Sequence, residues 1–175
     1  MDGYDIFVPA SYYKIFKELM IEKGKKYGIE IINNETYNIL RIEAKIPLFG
    51  IDFDDKNILP EISEKAVSYT KGCYIGQEIV ARVKNLAKGI TAKKLRFIEV
   101  DGNTAPEKNT KIMKDARTKF GTNPVGNKEI GHITSAAFSP ELKKVVGFGF
   151  LNKGFYEEGN VVFVNNQKTI VRLIE

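Results

Sequence analysis

From Thr91 onward the sequence is a succession of short β-branched and aromatic runs, at residues 91–100, 111–113, 129–138, 145–151, 161–164 and 169–174, each set off by Gly, Asn, Asp or Pro. Runs of this kind read as strands, and their separators as turns. Between the last two, Asn165-Asn166 or Asn166-Gln167 can supply the positive φ of a tight hairpin. About six short strands with such turns predict a small antiparallel barrel over residues 88–175, an architecture that closes its own edges. Residues 121–127, rich in Gly, Asn and Pro, read as a flexible loop.

The first half has a different period. Residues 4–8 read as a strand ended by Pro9. Ser11 is a candidate cap for a helix whose apolar face is Tyr12, Ile15, Phe16, Leu19 and Met20, with Gly24 or Gly28 as its stop. Residues 29–32 read as extended. Asn33-Asn34 can cap a second helix over 35–45, which puts Tyr37, Leu40 and Ala44 on one side. Pro47 and Gly50 then lead into a loop with Asp52, Asp54 and Asp55. The spacing lacks the glycine and distal glutamate of a calcium loop, so these carboxylates read as solvated charges. Residues 66–69 read as a strand.

Special chemistry is concentrated in Lys71-Gly72-Cys73-Tyr74-Ile75-Gly76-Gln77-Glu78, which holds the one cysteine of the 175 residues. Gly72 and Gly76 permit backbone geometry that a side chain forbids, so Cys73 is expected on a tight turn. From Gly76 the pattern turns helical, with Ile79, Val80 and Val83 at helical spacing, Glu78 in the first turn and basic residues in the last. A thiol just before a helix start, with Lys71 close by, is expected to favour its thiolate. The competing reading is a small buried hydrophobe, as most lone cysteines are.

The octapeptide KGCYIGQE resembles the signature of the YgfZ-type folate-binding proteins. These are the branch of the glycine-cleavage T-protein (aminomethyltransferase) superfamily linked to iron–sulfur cluster maintenance. Residues 40–44 (LRIEA) followed by 47–54 (PLFGIDFD) resemble a second block of that family, and residues 131–140 (GHITSAAFSP) a third, in the family's order. The resemblance implies an α+β chain: the remnant of a folate-binding α/β domain over residues 1–50 (a strand and two helices), a connecting segment over 51–87, and the C-terminal barrel. It implies a tetrahydrofolate-binding factor that supports assembly or repair of iron–sulfur enzymes, and through them tRNA modification. Cys73 is then the functional thiol, with Lys71 favouring the anion, Gly72 and Gly76 setting the turn, and Tyr74, Gln77 and Glu78 completing the motif.

Arg41 and Glu43 lie on the helix that the resemblance puts near folate. A guanidinium suits a carboxylate or pterin through two parallel hydrogen bonds, and a structural ion pair suits it equally. Family members place roughly as many residues again before the point where this chain begins, including the T-protein's catalytic aspartate. Residues 1–50 are therefore expected to pair with an N-terminal half or a second copy, or to be poorly ordered.

Two other functions stand beside this one. The first is a true aminomethyltransferase moving a one-carbon unit to tetrahydrofolate, which the KGCYIGQE block disfavours. The second is a barrel that serves only as an interaction module. The net charge of +5 is uneven: Lys84, Lys88, Lys93, Lys94 and Arg96 form one basic cluster and Lys108, Lys111, Lys114, Arg117 and Lys119 another. RNA, a polyglutamylated folate tail or an acidic protein face suits such clusters, although a solvated surface is the simpler account. With one cysteine and one histidine, His132, the chain holds no ligand set of its own for zinc or an iron–sulfur cluster. His132, in a predicted strand, reads as structural. The single cysteine and the lack of a signal peptide or long apolar run point to the cytoplasm.

Overall fold

A computed structural model describes residues 4–63, 66–115 and 128–174. The expected loop at 121–127, and Arg117 and Lys119 of the second basic cluster, lie outside the described residues. Contacts divide the chain into two compact units, residues 1–37 and 38–175, with the boundary inside a helix.

The second unit is built on a closed barrel of six antiparallel strands: β1 (Lys93–Val100), β2 (Lys111–Met113), β3 (Glu129–Ser139), β4 (Lys144–Asn152), β5 (Val161–Val164) and β6 (Gln167–Arg172). The order around the barrel is β1-β4-β3-β2-β5-β6, closed by β6 on β1. These are the six runs read from the sequence. Asn165 and Asn166, both at positive φ (49° and 65°), make the β5–β6 turn, as their position between two β-branched runs requires.

Strand alternation sorts the apolar residues into two cores. Ile98, Val100, Ile112, Ile130, Ile133, Val145, Leu151, Val162, Val164 and Val171 fill the barrel. Leu95, Phe97, Val146, Phe148 and Phe150 point outward from β1 and β4 and are covered by Ile42 and Ile62. Both faces of β4 are thus buried, and only its last residue is exposed. The interior is narrow: a Cβ on Gly147 would fall against the Ser135 carbonyl of the neighbouring strand. Outside the barrel, α2 (Asn34–Glu43) brings Ile42 to the outer core from its C-terminal half, and α3 (Leu59–Ile62) brings Ile62. A fourth helix, α4 (Gln77–Asn85), follows the cysteine segment. Residues 66–69, expected as a strand, form none: they run through turn and bend into the cysteine segment.

The first unit holds a short 3₁₀ turn (Ala10–Tyr12), α1 (Tyr13–Gly24) and a second 3₁₀ turn (Lys25–Tyr27) that Gly28 ends in the left-handed region. Ser11 does not cap α1, which grows directly out of the preceding turn. Asn33 does cap α2, accepting the Thr36 N–H at 2.8 Å. Residues 4–8, expected as a strand, pair with nothing among the described residues. None of residues 4–37 is buried, and Tyr4, Phe7, Ile15 and Ile31 are all more than half exposed. So short a segment cannot bury its own apolar side chains. No helix among the described residues is long and apolar enough to cross a membrane.

Candidate functional site

The three sequence blocks that stand out in the chain do not form one site. Two of them converge on Asp52. Its carboxylate, expected in solvent, is wholly buried. It accepts four hydrogen bonds: from Arg41 Nη1 at 2.6 Å, the Leu48 N–H at 2.9 Å, Thr134 Oγ1 at 2.8 Å and Ser135 Oγ at 2.5 Å. Adjacent residues of a regular strand point to opposite faces, so Thr134 and Ser135 cannot both reach one acceptor from an unbroken β3. A bulge between Ile133 and Ser135 makes this possible: Ile133 pairs with Gly149 and Ser135 with Phe148, leaving Thr134 as the extra residue. Burying Asp52 costs free energy that this set of donors, one of them charged, offsets.

Arg41 is spent on the same node. Nε donates to Asn38 Oδ1 at 2.9 Å, and Nη1 also donates to the Ile46 carbonyl at 3.2 Å. Its Nη2 is buried without a protein partner. Glu43, two residues further along α2, accepts from Ser139 Oγ at 2.6 Å, and Ser139 Oγ in turn accepts the Leu142 N–H at 2.9 Å. Arg41 Nε and Nη1 are thus committed inside the protein, and Nη2 is left over. Together Arg41 and Glu43 fasten α2 and the loop after it to β3. Sequence reasoning missed Asp52, Thr134 and Ser135 as partners. The available signal was that Arg41, Asp52 and the Thr134-Ser135 pair all fall in the chemically specific blocks.

The cysteine segment is built in the opposite way. Gly76 takes φ 87°, ψ 0° as the N-cap of α4, a conformation costly to any residue with a Cβ. Gly72 is in an ordinary conformation, and a Cβ there would meet nothing within 4 Å, so the turn does not require a glycine at that position. Cys73 is exposed and free. It lies four residues before Gln77, the first residue of α4. The Gln77 N–H closes the turn on the Tyr74 carbonyl at 3.2 Å. Lys71 Nζ lies 4.7 Å from the Tyr74 ring centroid, and Lys84 Nζ lies 3.5 Å from that of Tyr69. Glu78 points into solvent and pairs with Arg82 one turn on at 3.0 Å. Ile75 and Leu86 are more than three-quarters exposed, and Ile79 more than half. A reachable thiol thus sits beside an uncovered apolar edge. Among the described residues no group of three His, Cys, Asp or Glu side chains is arranged to hold a metal ion.

Residues 93–173, which contain all six barrel strands, match the glycine cleavage T-protein C-terminal barrel domain. An aminomethyltransferase of Oceanobacillus iheyensis is 34% identical over 174 residues, covering 98% of this chain and 43% of that protein. An aminomethyltransferase of Aquifex aeolicus is 30% identical over 173 residues, with the same coverage of 98% and 43%. Among solved structures, the glycine cleavage system aminomethyltransferase T from Bartonella henselae aligns with a TM-score of 0.67 over 95% of this chain and 44% of its own, at 16% identity, which is a likeness of fold. The chain therefore spans less than half the length of these curated relatives.

Proposed function

For a chain that its barrel and its aminomethyltransferase relatives group with the glycine-cleavage T-protein superfamily, we propose a part in tetrahydrofolate-dependent one-carbon transfer of the aminomethyltransferase type. The observation that carries this reading is similarity over 98% of the chain to an aminomethyltransferase, helices and connecting loop included as well as the barrel. Such a reaction gains most of its rate from holding two reactants in register, with a carboxylate placed to manage a proton. This chain's own residues suit the first task. The Asp52 node fixes α2 and the loop after it on the barrel wall, a rigid support for a binding surface. Asp52 is not the proton acceptor, because both its oxygens already accept hydrogen bonds. The resemblance implies that this role belongs to the T-protein's catalytic aspartate, in a part of the family's length that this chain does not match.

One observation favours a second reading: Cys73 is exposed, in the segment that resembles the YgfZ-type signature. In this reading the protein binds tetrahydrofolate and serves cytoplasmic iron–sulfur enzymes, including those of tRNA modification. Its sulfur then attacks a disulfide and displaces the second sulfur as a thiolate, takes sulfane sulfur from a persulfide donor that leaves as a thiolate, or contacts a cluster in passing. One pair of measurements separates the readings: transfer of a one-carbon unit from an aminomethyl donor to tetrahydrofolate, and activity of iron–sulfur enzymes in cells lacking the protein. Turnover that survives Cys73→Ser supports the transferase. No turnover even with an N-terminal half of an aminomethyltransferase added, together with iron–sulfur activity restored by the wild type and not by Cys73→Ser, overturns it in favour of the thiol factor.

A further inference from the structure

We propose that the cleft between the loop carrying Asp52 and the β1–β4–β3 wall of the barrel is a binding site for a compact dianion, either a phosphate group or a pair of linked carboxylates. The inference stands on the cleft itself and on neither functional reading. The cavity is about 240 Å³, and residues 50–54, 56 and 57 face Lys93, Lys108, Asn109, His132 and Phe150 across it. That volume is below the range of drug-sized ligands and suits a small charged group.

The charge balance points to an anion. Lys56, Lys93 and Lys108 line the cleft, and the carboxylates that line it are Asp54 and Asp52. Asp52 is already answered by Arg41, which lies behind the cleft and does not line it. Three lysines facing one uncompensated aspartate leave a surplus of two positive charges, with His132 neutral. Lys93 has no carboxylate partner among the described residues; its Nζ rests 4.6 Å from the centroid of the buried Phe150 ring. Lys108 Nζ is held by the Ile51 carbonyl at 2.8 Å, which fixes one cation at the rim and leaves two of its N–H bonds to donate. His132 packs beside Phe150, ring centroids 5.8 Å apart, between these cations. Partial burial, and then the charge of Lys93, hold its pKa below the ordinary value, while Glu129 acts weakly in the opposite sense. Unanswered positive charge around a half-buried imidazole is the arrangement that a bound anion relieves.

A second cleft of the same size on the barrel serves as the contrast. It is lined by Lys143, Lys144 and Lys168, but Glu99 and Asp101 line it too, and Lys144 is bound to Glu99 at 3.0 Å. Its three lysines face two carboxylates, so the surplus there is smaller, and Lys144 is committed to Glu99.

His132 is the only histidine of the chain, so its ring resonances report on the cleft without ambiguity. The test follows them by NMR in the full 175-residue chain against inorganic phosphate, glutarate and sodium chloride at matched ionic strength. The expected result is a saturable shift with one or both dianions and a His132 pKa raised by about half a unit or more. The apparent Kd rises about tenfold or more in Lys93→Gln/Lys108→Gln, by the loss of two close charges. It stays within about twofold in Lys143→Gln/Lys168→Gln, where long-range screening is all that changes. Lys56→Gln, at an exposed loop position, supplies a weaker-binding variant whose fold is not in question. A response to phosphate alone identifies a phosphate ester as the source, and a tighter response to glutarate identifies linked carboxylates. Chloride matching the dianions, a response that does not saturate, or equal weakening by the two double variants overturns the proposal.

Discussion

The Asp52 node and the cysteine segment are the two most peculiar stretches of this sequence, and they are physical opposites. Around Asp52 a charge is buried, four donors converge on it, and a strand is bulged to aim two hydroxyls at it. Around Cys73 the backbone turn is held, but the thiol, Ile75, Ile79, Glu78 and Leu86 are all left in solvent. An unusual sequence can therefore mark a tight internal fastening or a surface left open, and only the count of satisfied partners tells them apart. The first kind is expected to govern stability and the second to leave it untouched. Substitutions that invert this order break the distinction.

The largest effect is expected at Asp52. In Asp52→Ala the Arg41 guanidinium loses its charge partner inside the protein, and Thr134 and Ser135 lose their acceptor. Breaking a buried pair by removing one partner costs about 3–5 kcal/mol. For a chain of this size each kcal/mol lowers Tm by roughly 2–4 °C, so a fall of about 6–20 °C is expected in calorimetry. A shift under about 2 °C would show that the node is solvated in solution and that the contrast with Cys73 is false.

The two motif glycines sharpen the comparison within the cysteine segment. Gly76→Ala places a Cβ at φ 87° and is expected to cost about 1–2 kcal/mol. Gly72→Ala, in ordinary backbone with open space around it, is expected within about 0.5 kcal/mol of the wild type. Paired urea denaturation curves decide this, and equal losses would mean that Gly72 adopts a conformation in solution other than the one described.

A partly exposed ion-pair cluster lies between the extremes. Glu99 of β1 accepts from Lys144 of β4 at 3.0 Å and from Arg172 of β6 at 3.2 Å, tying together three strands of the barrel. Partial burial pulls its pKa up, but the hydrogen bonds and charges of Lys144 and Arg172 outweigh that, and the net direction is down from the ordinary 4.5. A carboxylate with a lowered folded-state pKa contributes stability above its unfolded value, and that contribution is lost as pH falls through the folded value. Glu99→Gln is therefore expected to be less stable than the wild type at pH 7 by a few tenths to about 1 kcal/mol. The gap should close as the pH is taken below 4.5. A gap that persists at pH 2.5 would assign the loss to packing.

The barrel was legible in the sequence because local signals sufficed: six β-branched runs and an Asn-Asn turn each carry their own geometry, and neighbouring runs pair in the tight hairpins β3–β4 and β5–β6. Residues 4–8 and 66–69 carry the same β-branched or aromatic signal and form no strand. Strand propensity says that a stretch suits a pleated, half-buried surface, and nothing among the described residues offers these stretches one. Asp52 was misread for a related reason. Composition gives a loop aspartate to solvent, and its burial depends on Thr134 and Ser135 more than 80 positions away, reached only through a bulge that no local pattern announces. The accessibility of Cys73 and the start of α4 after Gly76 were readable, because a glycine ahead of a helical period is a local signal.

The smallest effect on stability is expected at Cys73, and it is the most informative. Nothing in the fold depends on the thiol: its side chain is exposed and the turn is held by the backbone bond from Gln77 to Tyr74 and by Gly76. Cys73→Ser should therefore leave the urea midpoint within about 0.5 kcal/mol of the wild type. In the same experiment, iodoacetamide should alkylate Cys73 in the native protein at least as fast as in the denatured one, since no opening step precedes access. Native alkylation slowed by the free energy of unfolding would mean that the segment closes over its sulfur in solution. Any phenotype of Cys73→Ser would then come from a destabilised fold. If access is free and stability is unchanged, a loss of function in that variant can only be a loss of chemistry or of contact at an uncovered surface.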